Sequence, residues 1–256
     1  MKPVAKSKTP ARKPAASSAP AREDTAMRAP DATRHAILDI AETLFAENGI
    51  AATSLRSILL AAGANIAAAH YHFGSKEALV EEVIKRRAEG LVRTRDNQLT
   101  VALQVIDPPA RLRAILKAFF EPGFFGGGES REIAYRFAQV RSHLSIEKNQ
   151  QSKRIFGKYF GRHNLRFINA LVQTCPHISK IQVYWRFHLM LAAINYSLLN
   201  PSRVKDLTNG ACDPSDTEEA VKQMVEIFAV AFNLQASRPA APVTTKTSTR
   251  RNTAKG

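Results

Sequence analysis

The chain has 256 residues, 45% of them apolar, and a formal net charge of +15. These values allow a sizeable core in one small and one larger domain, and they favour a polyanionic partner. The two cysteines, Cys175 and Cys212, stand in no paired motif, so the sequence indicates a reducing cytoplasm, with neither a disulfide framework nor a metal site. No run of about eighteen apolar residues occurs, and we therefore expect no membrane-spanning segment.

Much of the positive charge lies in the two tails. Residues 1–28 hold seven Lys or Arg against two acids, and residues 236–256 hold five against none, so each tail contributes +5. Segments 1–29 and 236–256 are rich in Ala, Pro, Ser, Thr and Lys, and we expect both to be disordered. The N-terminal tail lacks the apolar stretch of a secretory signal. It is either a basic arm that follows DNA phosphates or a solubilising extension.

The first predicted helix runs from a cap at Asp31 to about Asn48 and ends at Gly49. Its apolar stripe consists of Ile37, Ile40, Ala41, Leu44 and Phe45. Arg34, near its start, is a candidate contact to the DNA backbone or minor groove, and the alternative is an ordinary solvated arginine.

Two short helices follow between Thr53 and Lys76. Thr53 is the predicted N-cap of the first, Gly63 ends it, and Asn65 caps the second. In the second helix, Ala67 and Ala68 share a face with Tyr71, with His70 at its edge. Gly74 breaks the chain before Ser75, which caps a third helix.

This order of caps, glycines and small residues is typical of a helix that lies in the major groove, where two alanines permit close approach. Arg56 is the best candidate for bonding a guanine or a phosphate with two parallel donors. The alternative is a small helical hairpin that packs in a core. The candidate DNA-binding residues are Arg34, Thr53, Ser54, Arg56, Asn65, Ala67, Ala68, His70, Tyr71, His72 and Lys76.

The rest of the chain also has helical periodicity. We expect helices from Ser75 to about Arg95, over 97–106, over Ala110–Phe120, over Glu132–His143, over Glu147–Gln173 with a kink near Gly157 and Gly161, over Ser179–Leu199, and from a cap at Thr217 to about Leu234. Between the third and fourth of these, EPGFFGGGES carries Phe124 and Phe125, which look exposed. This break is either a lid over a ligand pocket or a plain connector. Residues 201–215 are a predicted polar loop.

The last two helices carry more apolar surface than one exposed layer needs. The last has a stripe of Val221, Met224, Val225, Phe228 and Phe232. We predict that both helices pack against their copies in a second subunit, which would give a two-fold homodimer. The alternative is the core of a monomeric bundle.

No catalytic constellation is recognisable, and the sequence predicts neither an enzyme nor a bound cofactor. Several polar or amphipathic residues stand in otherwise apolar helices and are candidates for lining a ligand cavity. These are Phe119, Arg141, His143, Trp185, His188 and Asn195. The alternative is that they are satisfied residues of a plain core.

The segment from Arg34 to Lys76 resembles the N-terminal domain of TetR-family transcriptional regulators. The matching stretches are ILDIAETLFAENG, TSLRSILLAAG and YHFGSKEAL, and ANIAAAHYHFGSK is similar to the branch that responds to fatty acids or their CoA thioesters. His70 departs from the Tyr or Asn common at that position, which affects the operator sequence. The resemblance implies a helix that links the two domains and whose tilt sets the spacing of the DNA-binding heads.

The sequence therefore predicts an all-α protein with a three-helix helix-turn-helix domain at 30–76 and a larger effector-binding and dimerisation domain at 77–235. The predicted function is a homodimeric transcriptional regulator, a repressor of a palindromic operator on double-stranded DNA that an apolar effector releases. Two alternatives stay open: an architectural DNA-binding protein without an effector, and a helical lipid-binding module.

Overall fold

The computed structural model describes residues 23–65, 67, 71–125 and 130–234, apart from the side chains of residues 23–30. Within these ranges the chain forms helices and no strand, which confirms the all-α prediction. The helices are α1 Glu23–Asn48, α2 Leu55–Ala61, α3 Lys76–Ala102, α4 Pro108–Phe125, α5 Arg131–Ile146, α6 Gln150–Phe156, α7 Arg162–Thr174, α8 Lys180–Leu199, α9 Pro201–Leu207 and α10 Thr217–Asn233. The predicted disorder of 1–22 and of 236–256 lies outside the described residues.

Helix α1 begins at Glu23, eight residues before the predicted cap at Asp31. Residues 23–29, which the sequence assigned to the disordered N-terminal tail, thus belong to this helix. Pro30 lies inside the helix, where it removes one backbone hydrogen bond without ending the element.

The N-terminal core does not end at the predicted boundary after Lys76. We refer to residues 30–76 as the head and to residues 77–234 as the body. Ile37, Phe45 and Ile58 of the head are fully buried in one cluster with the first turns of α3. The same cluster takes in body residues of α5, α6 and the following turn, which are Phe137, Val140, Leu144, Ile155 and Phe160. The head is thus packed directly on the body.

Helix α3 runs without a break from Lys76 to Ala102, so the predicted end near Arg95 and the separate helix over 97–106 are wrong. The polar run at 93–98 contains neither Gly nor Pro. Asp96 is held in place by α7, since its carboxylate accepts a hydrogen bond from His163 Nδ1 at 2.8 Å and pairs with Arg166. One continuous helix therefore joins the head to the interior of the body.

Helices α6 and α7 form one long rod that is interrupted by a π-helical turn over Gly157–Gly161. The sequence predicted a kink at these two glycines, and the structure confirms an irregularity there. The π turn places Phe160 in the core, while Lys158 and Arg154 reach Glu81 on α3, at 2.6 Å and 3.0 Å respectively. The rod is thus tied to the helix that leaves the head.

The second core lies among α3, α4, α7, α8 and α10. Helix α4 continues through Pro122 to Phe125, so the break predicted after Phe120 starts five residues too early. Phe124 is fully buried and Phe125 is half-buried, which corrects the prediction that both are exposed. Their rings fill the core between helices, a contact that local sequence does not reveal. The residues 126–129, at the centre of the predicted lid, lie outside the described ranges.

The C-terminal elements follow the predictions with two differences. Ser179 caps α8 in a capping box with Gln182, and Asp216, rather than Thr217, caps α10. The predicted loop at 201–215 instead contains α9, which begins with Pro201 at its first position, where the missing N–H costs nothing. Among the described residues, no helix is both long and apolar enough to cross a membrane.

Candidate nucleic-acid interface and interior cavity

The turn after α2 sets the direction of the segment that follows. Ser54 caps α2, since its hydroxyl accepts from the Ser57 N–H at 3.0 Å while the Ser54 N–H donates to the Ser57 hydroxyl at 3.2 Å. Gly63 adopts the left-handed conformation with φ +62°. The Gly63 and Ala64 N–H groups then donate to the carbonyls of Leu60 and Leu59, closing a Schellman motif. The prediction that Gly63 ends this helix is confirmed.

Thr53 is neither the cap nor a surface residue, which corrects both predictions for it. Its side chain is 4% exposed, and its hydroxyl lies 2.8 Å from the Gly49 carbonyl oxygen and 3.1 Å from that of Leu44. The turn between α1 and α2 folds Thr53 beneath the end of α1. Thr and Ser are both good caps, so their order alone does not identify the cap.

An outward-facing surface is formed by α2 and the segment after Gly63. Arg56 is exposed and makes no hydrogen bond or ion pair with any residue that the structure describes. Tyr71 and Leu60 are each 83% exposed, and Asn65 and Ala67 are also exposed. His72 is half-buried and stacks edge-on against Tyr71, with ring centroids 5.0 Å apart. The candidates Ala68 and His70 lie outside the described residues.

Two other predicted DNA contacts, Arg34 and Lys76, make contacts with other residues of the protein. Arg34 pairs with Glu82 on α3, and its guanidinium lies 5.6 Å from the centre of the buried Phe73 ring. Lys76 Nζ donates to the Ala51 carbonyl at 3.4 Å. Arg34 therefore ties α1 to α3, whereas the least encumbered cation of this surface is Arg56.

The body encloses a cavity of about 510 Å³. Four of the predicted ligand-binding residues line it: Phe119, Arg141, His188 and Asn195. Asn195 donates to the Ser145 hydroxyl at 2.8 Å, which joins α8 to α5 along one wall. The size is that of a pocket for a small organic molecule.

The other two predicted ligand-binding residues do not reach this cavity, and their assignment is corrected. His143 turns toward the head, where Nε2 lies 3.3 Å from the Ala46 carbonyl oxygen and the ring packs on Gly49. Burial lowers the pKa of His143 below its usual value. Trp185 is 64% exposed and stacks edge-on against His188 outside the cavity. Helical periodicity alone does not distinguish these faces of α5 and α8.

Sequence reasoning missed a second arginine in the cavity, Arg95. Arg95 lies between Leu91 and Leu99 in the buried stripe of α3, at a position where the helical period predicts an apolar residue. This charged residue within an apolar stripe was the signal available in the sequence. Burial and the nearby Arg141 lower the pKa of Arg95 well below the usual arginine value, and burial lowers the pKa of Arg141 to about 10. Because a guanidinium group keeps its proton in proteins, both side chains carry a positive charge near neutral pH.

The outer faces of α8 and α10 carry apolar side chains that stay exposed in the single chain. The stripe predicted to meet a second subunit through Val221, Met224 and Phe228 is instead buried within the body. A different set faces outward, namely Ile181, Tyr184, Trp185, Leu189, Tyr196, Ile227 and Val230. The two helices therefore bury one side in the chain and leave the other uncovered.

Comparisons with known proteins agree with this architecture. Residues 37–83 match the family model described as "Bacterial regulatory proteins, tetR family", and residues 117–231 match "Tetracyclin repressor-like, C-terminal domain". A curated relative, the HTH-type transcriptional repressor KstR2 of Rhodococcus jostii, is 35% identical over 88 residues. That alignment covers 34% of this chain and 42% of the relative, so the chain matches less than half of that protein's length.

Solved structures with the same fold include two regulators of low sequence identity. The TetR family transcriptional regulator PfmR from Thermus thermophilus superposes with a TM-score of 0.53 at 22% identity, over 80% of this chain and 97% of the other. A TetR-family transcriptional regulator from Bordetella parapertussis gives 0.54 at 20% identity, over 76% and 93%. These matches extend the common fold over head and body.

Proposed function

Since the chain belongs to the TetR family of bacterial regulatory proteins, we propose that it is a sequence-specific DNA-binding transcriptional regulator without enzymatic activity. The observation that carries the proposal is the outward-facing surface of the head, where Arg56, on the capped helix α2, and Tyr71 are both exposed. The relative KstR2 is named as a repressor. Repression is accordingly the sign of control that we propose.

In this proposal the segment after Gly63 lies in the major groove. Ala67 is small and exposed, so the backbone can approach the base edges closely. Arg56 then offers a planar pair of donors to a guanine or a phosphate, and the Tyr71 hydroxyl offers one more. The Schellman motif at Gly63 fixes the angle between α2 and this segment, which keeps these groups in register.

We further propose that the protein is a homodimer whose uncovered faces of α8 and α10 meet across a two-fold axis. Seven large apolar side chains on those faces are exposed in the single chain, and burying them against a copy removes them from water. Two heads related by a two-fold axis would read a pseudo-palindromic operator.

An apolar small molecule in the cavity is the proposed effector, with free fatty acids and their CoA thioesters as the first candidates. The cavity is lined by Arg95 of α3 and Arg141 of α5, and both helices also pack in the head core. A ligand that binds one arrangement of these helices better than the DNA-bound arrangement would shift the population of head spacings. The operator would then be released.

Selection of bound sequences from random double-stranded DNA tests this proposal. We expect a symmetric motif with half-sites about one helical turn apart, and weaker recovery of that motif when an effector is added. An architectural DNA-binding protein would enrich no motif, because its affinity arises from phosphate contacts alone. A lipid-binding module would retain acyl ligands but no DNA.

A further inference from the structure

Two cavity residues, Arg95 and Arg141, are charged, buried and without an acidic partner. Their side chains are 3% and 7% exposed, and neither forms an ion pair or hydrogen bond with any residue that the structure describes. Asp96 follows Arg95 in the chain, but its carboxylate pairs with His163 and Arg166 of α7. A buried guanidinium without a counter-ion is costly, because its charge has lost the hydration of bulk water.

The two guanidinium groups also lie close to each other. Nitrogens of Arg95 and Arg141 come within 2.7 Å and 3.3 Å of the position that a Cβ atom on Gly123 would occupy, so they are no more than about 6 Å apart. Glycine at this point of α4 makes room for both. The last turn of α4 supplies the negative end of a helix dipole, equivalent to about half an elementary charge. That offsets only part of two full positive charges, which also repel each other.

The rest of the cavity suits an apolar skeleton. Its buried or half-buried walls include Phe119, Phe156, Phe160 and Ile194, with Leu191 and Leu199 from α8. The exposed lining residues are His188, Ala192 and Tyr196 of α8, Ile146 at the end of α5 and Asn200 after α8, which places the mouth between α8 and the end of α5. The cavity therefore runs from a solvent-facing mouth to a positively charged end.

From this arrangement we propose that the effector is an amphiphile with an anionic oxygen head group, a carboxylate or a phosphate, bound between Arg95 and Arg141. The inference rests on the proposed function and names the chemical class of its effector. Guanidinium groups bond both oxyanions through parallel N–H donors. The anion would supply the counter-charge that both arginines lack.

The same site explains how the head group would influence the head of the protein. Arg95 lies nineteen residues after Lys76 on the uninterrupted helix α3, a rise of about 28 Å. Arg141 lies two residues before His143, which packs on Gly49 at the end of α1. One anion drawn between the two arginines therefore pulls on both helices that hold the head.

Calorimetric titration of the full-length, DNA-free protein tests the proposal. The ligands are straight-chain carboxylic acids from octanoic to hexadecanoic, their primary amides, which match them in size but are neutral, and alkyl phosphates of the same lengths. We expect the acids or the alkyl phosphates to bind about tenfold or more tightly than the amides. Comparison of the two charged series shows which head group the site prefers.

Variants separate this site from general hydrophobic binding. Arg141→Met is expected to lose the preference for the charged ligand, and Arg141→Lys is expected to keep only part of it, since lysine lacks the planar fork. Arg136→Met is the matched control, because Arg136 lies on the same helix, pairs with Glu132 and does not line the cavity. It should keep the full preference.

Three results would overturn the inference: amides that bind as tightly as both charged series, no binding by either charged series, or an undiminished preference in Arg141→Met. None of these readouts involves DNA. A failed operator selection therefore leaves the anion site standing, and a failed titration leaves the DNA-binding proposal standing.

Discussion

The head and the body each present arginines that pair with no acidic residue among those the structure describes, but in opposite surroundings. Arg56 in the head is exposed, so water solvates its charge at little cost. Arg95 and Arg141 in the body are buried beside an apolar cavity, and no carboxylate of the described residues pairs with either charge. The same side chain is thus ready for a large polyanion at the surface and for a small anion in the interior.

Solvation, rather than residue type, indicates what an unpaired charge is for. Exposure alone does not show that an arginine has a function. Arg56 is singled out by its place on a capped, outward-facing helix. A buried pair without counter-ions lowers the stability of the ligand-free protein, and a bound anion would offset that cost.

The largest expected change in stability comes from a substitution in the core that head and body share. Phe45 of the head is fully buried in the cluster that includes Phe137, Val140 and Leu144 of the body. Phe45→Ala should lower the free energy of unfolding by about 3–5 kcal/mol, measured by urea denaturation. Leu60→Ala, at an exposed position of the same head, is the control and should change it by less than about 0.5 kcal/mol.

The number of unfolding transitions in urea also tests the shared core. Because one core spans head and body, both should unfold together in a single transition. Two separate transitions, with only the first moved by Phe45→Ala, would contradict the shared core.

The next largest change in stability separates the buried Arg141 from the exposed Arg56. Arg141→Met should raise the free energy of unfolding of the ligand-free protein by about 1 kcal/mol or more, because an unpaired buried charge is replaced by an apolar chain. Arg56→Met should leave it unchanged within about 0.5 kcal/mol. Thermal or urea unfolding of both variants measures the difference. A strong loss of stability in Arg141→Met would make Arg141 a structural residue and weaken the contrast.

A smaller change in stability is expected at Glu81. This residue lies on α3, where that helix contacts the rod formed by α6 and α7. The hydrogen bond from Lys158 lowers the pKa of Glu81 below its usual 4.5, with further help from Lys158 and Arg154 charges. A carboxylate whose pKa is lowered in the folded state contributes stability above pH 4.5, and that contribution is lost as the pH falls through the lowered value.

Glu81→Gln should therefore cost up to about 1 kcal/mol at neutral pH and almost nothing below the lowered pKa of Glu81. Unfolding curves of both proteins at several pH values measure this. Equal differences at neutral and acidic pH would show that the carboxylate charge plays no part.

The sequence predicted those features that neighbouring residues determine. Gly63, Ser75 and Ser179 act as helix ends or caps where the pattern placed them, since a cap is satisfied by the next three residues. The predictions failed where a distant contact decides. Thr53 is buried by the end of α1, and Phe124 is buried in the core of the body. Arg95 was missed because its burial depends on helices far away in the chain.

The candidate site divides in the same way. The exposure of Arg56 and Tyr71 was predictable, because both stand opposite the apolar stripes of their short segments. In the body, Arg141 and Asn195 line the cavity, while His143 and Trp185 lie on other faces of the same helices. A polar residue in an apolar helix signals a special environment, but only the packing of neighbouring helices shows which one.

The central claim is that the outward-facing surface of the head binds a specific DNA sequence, and the affinity of Arg56→Ala for the selected operator tests it most directly. Fluorescence anisotropy at fixed salt should show a loss of about 1–3 kcal/mol, or roughly 5- to 150-fold. Arg203→Ala, at an exposed arginine on α9 of the body, is the control and should bind within about twofold of the unaltered protein. Equal affinity of Arg56→Ala and Arg203→Ala for the operator would contradict the claim.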